Sequence, residues 1–211
     1  AAVVFYHLTY RHSPVDGEFI FDTAGVLTKY GFLGVNLFFL ISGFVILWTA
    51  IGRSPSQFVI TRFSRLYPIF WVAIGATLVV KWLIFNDVDD IGNILMNMTM
   101  MPGYLGREFE YIDGVYWTLQ VELKFYFLLF LLIVFKQLDR IEFWLIVWAI
   151  GCVLAPYVPG LSTLTIYPYG PYFIAGSTMF LIWRDKLTSV RLGIIVLCLA
   201  MSLFEIDLMV E

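Results

Sequence analysis

Gly31-Phe32-Leu33-Gly34-Val35-Asn36-Leu37-Phe38-Phe39-Leu40-Ile41-Ser42-Gly43-Phe44-Val45-Ile46-Leu47-Trp48-Thr49-Ala50-Ile51 contains no charged side chain from end to end. A helix needs roughly 20 such residues to cross ~30 Å of hydrocarbon, and this stretch is long enough. Its surroundings are of the same kind. Of 211 residues, 61% are hydrophobic, 18% aromatic and only 14% charged, against ~45–50% apolar and ~25% charged in an ordinary soluble domain. One globular core of this size cannot hide so much apolar surface from water. The formal charge of −3 offers no basic face to a phosphate backbone, so nucleic acid is excluded as a partner. Cys152 and Cys198 lie within apolar blocks, where thiols behave as small hydrophobes and make no metal or disulfide pattern. The composition defines an integral membrane protein with the lipid bilayer as its solvent.

Working outward from 31–51, the chain reads as an all-α, polytopic transmembrane bundle of about seven spans. Ala1 to about Tyr10 is half a span. Gly31–Ile51 is the second, and Leu66–Phe85, with Lys81 near its end, the third. Leu119 to about Phe135 is the fourth, holding Glu122 and Lys124 near its start. Phe143–Tyr157, ended by Pro156, Tyr172–Trp183 and Leu192 to about Val210 complete the set. The Met-rich stretch Ile91–Met101 is too short to cross and reads as a re-entrant or interfacial helix. No repeat divides the chain, so residues 1–211 are expected to form one transmembrane domain. Both ends fall in apolar runs, which marks the chain as an interior piece of a longer protein.

Basic residues in short loops set orientation. Arg53, Arg62 and Arg65 follow the second span, Lys136 and Arg140 the fourth, and Arg184, Lys186 and Arg191 the sixth. The alternate loops hold Arg11, Lys29 and Arg107 against Asp16, Glu18, Asp22, Asp87, Asp89, Asp90, Glu108, Glu110 and Asp113. The first group is expected to be cytoplasmic and the acidic group to face outward.

A charge near the centre of a span costs ~2.5–3.5 kcal/mol on insertion scales, so each needs a reason. His7 and Glu122 each sit about one helical turn from the outer end of their spans. If those helices are neighbours, the carboxylate orients the imidazole and stabilises the imidazolium formed when a hydroxyl loses its proton. The alternative is that His7 bonds a neighbouring helix and Glu122 reaches interfacial water. Arg62 and Arg65, three apart, share a helix face and suit a polyphosphate clamp; arginines here also set topology with no ligand at all. Lys81 is expected to snorkel, and Lys124 has no assigned role. Asn36 needs an interhelical hydrogen bond, while Gly34, Ser42 and Gly43 permit close helix packing.

Four blocks in order resemble the membrane acyltransferase-3 family, which includes bacterial O-acetyltransferases of surface polysaccharides. They are Val4-Phe5-Tyr6-His7, Gly34-Val35-Asn36-Leu37-Phe38-Phe39-Leu40-Ile41-Ser42-Gly43-Phe44, Arg62-Phe63-Ser64-Arg65-Leu66-Tyr67-Pro68, and Trp117-Thr118-Leu119-Gln120-Val121-Glu122-Leu123-Lys124-Phe125-Tyr126. The resemblance implies transfer of an acyl group, usually acetyl, from cytoplasmic acyl-CoA (acetyl-CoA, a co-substrate) to a hydroxyl of a glycan or similar acceptor. No bound cofactor and no metal are expected. His7 matches the family's essential histidine, Arg62 and Arg65 its donor-handling Arg-x-x-Arg pair, and Glu122 the acid of its Trp-Ser-Leu-x-Val-Glu block. The family's basic residue ten positions before the histidine falls ahead of Ala1, and Asn36 stands where many members carry Asp. Members have about ten spans and lie, multi-pass, in the cell inner (plasma) membrane. The rival readings are a transporter or export component, whose mark is broken helices facing each other at the midplane, and a non-catalytic sensor on the same fold.

Overall fold

The structure, a computed structural model, describes residues 29–86, 89–101 and 110–210. The expected first span and His7 lie outside these. Among the described residues the chain is helical, with no strand. The α-helices are α1 (Leu33–Ala50), α2 (Pro55–Phe85), α3 (Ile91–Met98), α4 (Trp117–Val134), α5 (Ile141–Leu154), α6 (Leu161–Thr165), α7 (Gly170–Arg184) and α8 (Ser189–Val210). Among the described residues, three helical stretches are long and apolar enough to cross a membrane: Tyr30–Ala50, Pro55–Phe85 and Gly114–Val134. They correspond to the second, third and fourth expected spans. The expectation of about seven is therefore met in part. α5 and α7 stop at 14 and 15 residues, about 21 and 23 Å of rise against ~30 Å of hydrocarbon.

Expected to begin at Leu66, the third span starts at Pro55, so Arg62 and Arg65 lie inside a helix rather than in a loop. The cause is local. Ser54 Oγ accepts the Gln57 backbone N–H at 3.3 Å, Gln57 Oε1 accepts that of Ser54 at 3.1 Å, and Pro55 occupies the first helical position. This capping box satisfies two otherwise orphaned donors, and proline's fixed φ favours the first turn. Asn86, at φ 50°, ends the helix by donating its N–H to Lys81 and Trp82 carbonyls, as a left-handed cap does. At 31 residues α2 rises about 46 Å, well beyond the hydrocarbon thickness. Ile69 and Val72 on it are 74% and 73% exposed, as suits a surface solvated by lipid.

Two compact units divide the chain, one running through Trp48 and resuming at Glu142, the other Thr49–Ile141. In the second, Phe70, Ile74, Met100, Ile112 and Tyr116 form the core. The short α3 is inverted: Ile91, Leu95 and Met98 face outward, while Asn97 is buried. The Asn97 amide donates to the Asn93 and Glu110 carbonyls at 2.9 Å each and accepts the Ile112 N–H at 3.1 Å. Tyr67 and Trp71 donate to the Thr99 and Met98 carbonyls at 3.2 and 3.1 Å, covering groups a helix end leaves unpaired. At eight residues the helix is too short to cross, as expected for 91–101. Lys81, expected to snorkel, is paired with Asp89 at 2.6 Å.

In the first unit, α1 and α7 cross backbone to backbone. A Cβ on Gly43 would overlap the Phe173 carbonyl, and one on Gly176 the Leu40 carbonyl. Ser177 Oγ donates to the Gly43 carbonyl at 3.1 Å, and Asn36 Nδ2 to Tyr172 Oη at 3.0 Å. The glycine and Asn36 of the uncharged stretch thus serve the close packing and interhelical bond expected of them. Gly176→Ala should cost about 1–3 kcal/mol through overpacking. Gly75→Ala, whose added methyl meets nothing within 4 Å, should be neutral or slightly stabilising in mid-helix. Thermal unfolding of the detergent-purified variants checks the contrast; equal midpoints would refute this packing.

Candidate active site

Arg62 lies on the third turn of the α2 frame, two turns past the cap that pulled it into the helix. Its side chain is only 5% exposed. Burying a guanidinium demands compensation, ordinarily a carboxylate. Here the compensation is of another kind. The cation lies over the Phe58 ring at 5.5 Å, one turn back on the same helix, and over the Tyr126 ring at 5.6 Å on α4. The two rings meet edge to face, with centroids 6.3 Å apart. Arg62 Nη2 donates to Thr49 Oγ1, and Nε finds no hydrogen-bond acceptor among the described residues. Aromatic faces attract a cation without neutralising it, so the site keeps positive charge and donor capacity in a buried place.

Glu122 is 7% exposed and accepts the Tyr126 hydroxyl on Oε1 at 2.9 Å. The two are four apart on α4, one turn, so the bond runs along a helix face. Tyr126 therefore touches both predicted site residues, its ring under Arg62 and its hydroxyl on Glu122. The sequence placed Arg62 at the cytoplasmic edge and Glu122 near the outer end of its span; the structure instead brings both against one tyrosine, a smaller separation than that reading expects. Arg65 is exposed, and the Arg62–Arg65 spacing does not place both guanidinium groups in one buried clamp. His7 lies outside the described residues, and its pairing with Glu122 carries over as a proposal.

A second buried arginine is the useful contrast. Arg191, 8% exposed, donates Nε and Nη2 to Glu142 Oε2 at 2.9 and 2.8 Å and Nη2 to Asp185 Oδ2 at 3.2 Å. Its Nη1 donates to the Leu181 and Lys186 carbonyls at 2.8 Å each. All five N–H donors of a guanidinium are thereby used. Asp185 in turn takes a two-bond fork from Arg184 at 2.9 Å, and those hydrogen bonds hold its carboxyl below the usual range. Arg191 is a neutralised structural joint; Arg62 is neither neutralised nor saturated.

Tyr126, Phe58 and Thr49 were not among the predicted site residues. Tyr126 is one turn from Glu122, and Phe58 one turn from Arg62, so both pairs were visible as spacings of four. Among the described residues, no group of three or more His, Cys, Asp or Glu is placed to hold a metal.

Among the described residues, which are helical, a buried cation, phenol and carboxylate thus meet in one cluster. The family model described as an acyltransferase domain matches residues 1–206, and the chain belongs to the acyltransferase-3 family. It is similar to ORF330 of Acidianus two-tailed virus, provisionally named an acetyltransferase, with 27% identity over 176 residues, covering 82% of this chain and 48% of ORF330. It is also similar to the exopolysaccharide production protein ExoZ of Rhizobium meliloti (strain 1021), with 31% identity over 105 residues, covering 46% of this chain and 32% of ExoZ. The chain thus spans about half the length of the first relative and a third of the second. No solved structure matches it.

The two arginines should separate under mutation. Glu142→Ala deprives the buried Arg191 of two bonds and should destabilise the protein by about 1.5–3 kcal/mol. Tyr126→Phe keeps the ring under Arg62 and removes one donor from Glu122, and should lower activity far more than stability. Unfolding midpoints beside acyl-transfer rates decide this; an active Tyr126→Phe would demote the bridge to packing.

Proposed function

We propose that the protein is a multi-pass acyltransferase of the cell inner (plasma) membrane. It moves an acyl group, acetyl in the simplest case, from cytoplasmic acyl-CoA to a hydroxyl of a glycan or similar acceptor. The observation that carries this reading is Arg62, the first arginine of the family's Arg-x-x-Arg pair, buried over Tyr126, whose hydroxyl rests on Glu122. Family membership supplies the reaction class, and the name of ExoZ, an exopolysaccharide production protein, favours a polysaccharide acceptor. In this proposal the chain makes about seven spans, with α5 and α7 as short crossings.

Arg62 and Arg65 receive the donor from the cytoplasmic side. His7 takes the proton of the acceptor hydroxyl as its oxygen attacks, and Glu122 orients the imidazole and stabilises its charged form. Tyr126 holds the Glu122 carboxylate in place and keeps it from pairing freely with Arg62, where the two charges would cancel. Neutral helix-facing groups around this set exclude water, which strengthens every electrostatic contact within.

Incubating the purified full-length protein with acetyl-labelled acetyl-CoA and a polysaccharide acceptor tests the reading. Label moving to the acceptor, or released with CoA, is the expected result, and label remaining on CoA would reject it. His7→Ala should lower transfer by about 100-fold or more with membrane insertion preserved. Unchanged turnover in that variant would remove His7 from the chemistry.

A further inference from the structure

We propose that the two arginines divide the donor between them: exposed Arg65 takes its phosphates, and buried Arg62 binds the acyl carbonyl oxygen as its electrophilic partner. This rests on the acyltransferase reading above and assigns the arginine pair two jobs instead of one.

The division begins with helix geometry. Residues three apart on a helix are about 60° apart around the axis and about 4.5 Å along it. One can therefore face the interior while the next lies on the flank. Arg62 and Arg65 do this, one 5% exposed and the other exposed. A phosphate keeps most of its hydration when it meets an exposed guanidinium, so Arg65 can bind it at little desolvation cost. Bringing a phosphate to Arg62 would strip it of water inside a pocket walled by Phe58 and Tyr126, with one guanidinium arm already held by Thr49. A buried multiple charge needs several donors in excellent geometry; Arg53 and Arg65 are near enough to act on Arg62 through space, yet both are exposed and neither enters its pocket.

A thioester carbonyl suits Arg62 better. It is neutral on arrival, presents a single oxygen and needs only one or two donors. Arg62 Nε, buried and without an acceptor among the described residues, is such a donor. In the reaction the attacking hydroxyl oxygen forms a new C–O bond to the acyl carbon, and the C=O π pair moves onto the carbonyl oxygen. The hydroxyl proton passes to the base, His7 in the proposed reading. Collapse restores C=O, breaks the C–S bond and expels the CoA thiolate, which takes up that proton. Negative charge thus appears on the carbonyl oxygen only as the bond forms. Arg62 stays cationic throughout, so its attraction to that oxygen is strongest in the transition state, where binding accelerates the step.

Thr49 and the two rings hold the guanidinium in one orientation before the donor arrives. Tyr126 also sends its own hydroxyl to Glu122, so the carboxylate accepts from the phenol and the cation keeps its charge for the carbonyl. The cost of an un-neutralised buried cation is thereby given a use.

The test measures steady-state acetyl transfer and equilibrium binding of labelled CoA, which has phosphates and no acyl group, by the full-length protein. Arg62→Lys should lower kcat by about 10²–10³-fold and leave the Kd for CoA within about twofold. Arg65→Ala should raise the Kd for CoA and the KM for acetyl-CoA together, by roughly tenfold, with a smaller change in kcat. Methylguanidine added to Arg62→Gly should restore part of kcat, a response that a merely structural arginine would not give. If Arg62→Lys weakens CoA binding as much as Arg65→Ala does, the pair is one undivided clamp and the proposal is overturned. If Arg62→Lys lowers only the unfolding temperature, Arg62 is a brace and the proposal is likewise overturned. A wild-type protein that binds no CoA overturns the acyltransferase reading itself, an outcome distinct from either of these.

Discussion

Placing one guanidinium inside a helical membrane protein without a carboxylate to cancel it is the constraint around which the Thr49–Ile141 unit is arranged. Arg62 is buried, and the groups that contact it among the described residues leave its charge intact: two aromatic faces and a threonine hydroxyl. Such an arrangement is unfavourable compared with an ion pair, and the molecule shows that it can build the ion pair. Arg191 has two carboxylates and two carbonyls, and no donor left over. Stability alone would have made Arg62 resemble Arg191. The difference between them is what favours Arg62 in the proposed function, since uncompensated polar groups of this kind concentrate at functional sites.

That charge is delivered by elements far from it in character. The Ser54–Gln57 capping box starts α2 early enough to carry residue 62 into the helical frame. The core around Phe70, Ile74 and Tyr116 then holds α2 in the same unit as α4. Tyr126 and Glu122, one turn apart on α4, present a ring and a carboxylate along one face. Asn97, by bonding the carbonyls and N–H of its neighbours, ties the segment before α4 to α3. A local cap, a buried amide and a row of apolar contacts together place three chemically different side chains in one cluster.

How much of this the sequence disclosed depends on the kind of information involved. The stretch at 31–51 was legible because twenty-one uncharged residues in a row have few other uses, and the inward amide of Asn36 because an unbonded polar group in hydrocarbon is costly. The third span was read eleven residues late (Leu66 in place of Pro55), since hydropathy marks where charges stop and says nothing of where a helix starts. The cap at Ser54-Pro55-x-Gln57 was the signal that would have moved the boundary. Arg62, Arg65, Glu122 and His7 were singled out by their cost or their family pattern, yet neither states which arginine turns inward. That depends on helix rotation about α2, which follows from tertiary packing. Tyr126 escaped notice because tyrosines abound near membrane surfaces, and its role is visible only when both of its neighbours are known.

The bridge between Arg62 and Glu122 also changes how a proton and an acyl group can meet. A reading from loops puts donor binding at one face of the membrane and acid–base chemistry near the other, leaving a gap that the donor's acyl arm must span. In the structure the arginine stands eight residues beyond the α2 cap, Ser54, and its guanidinium shares a tyrosine with the carboxylate. The two predicted groups are therefore one side chain apart at this point. In the proposed reaction, a donor whose phosphates meet Arg65 needs to extend only its acyl end to reach Arg62, while an acceptor needs to approach only as far as the group oriented by Glu122. Were the two substrates to come from opposite sides, as proposed, they would need a thin partition between them, and a cation and a carboxylate kept apart by one phenol would make one without cancelling each other.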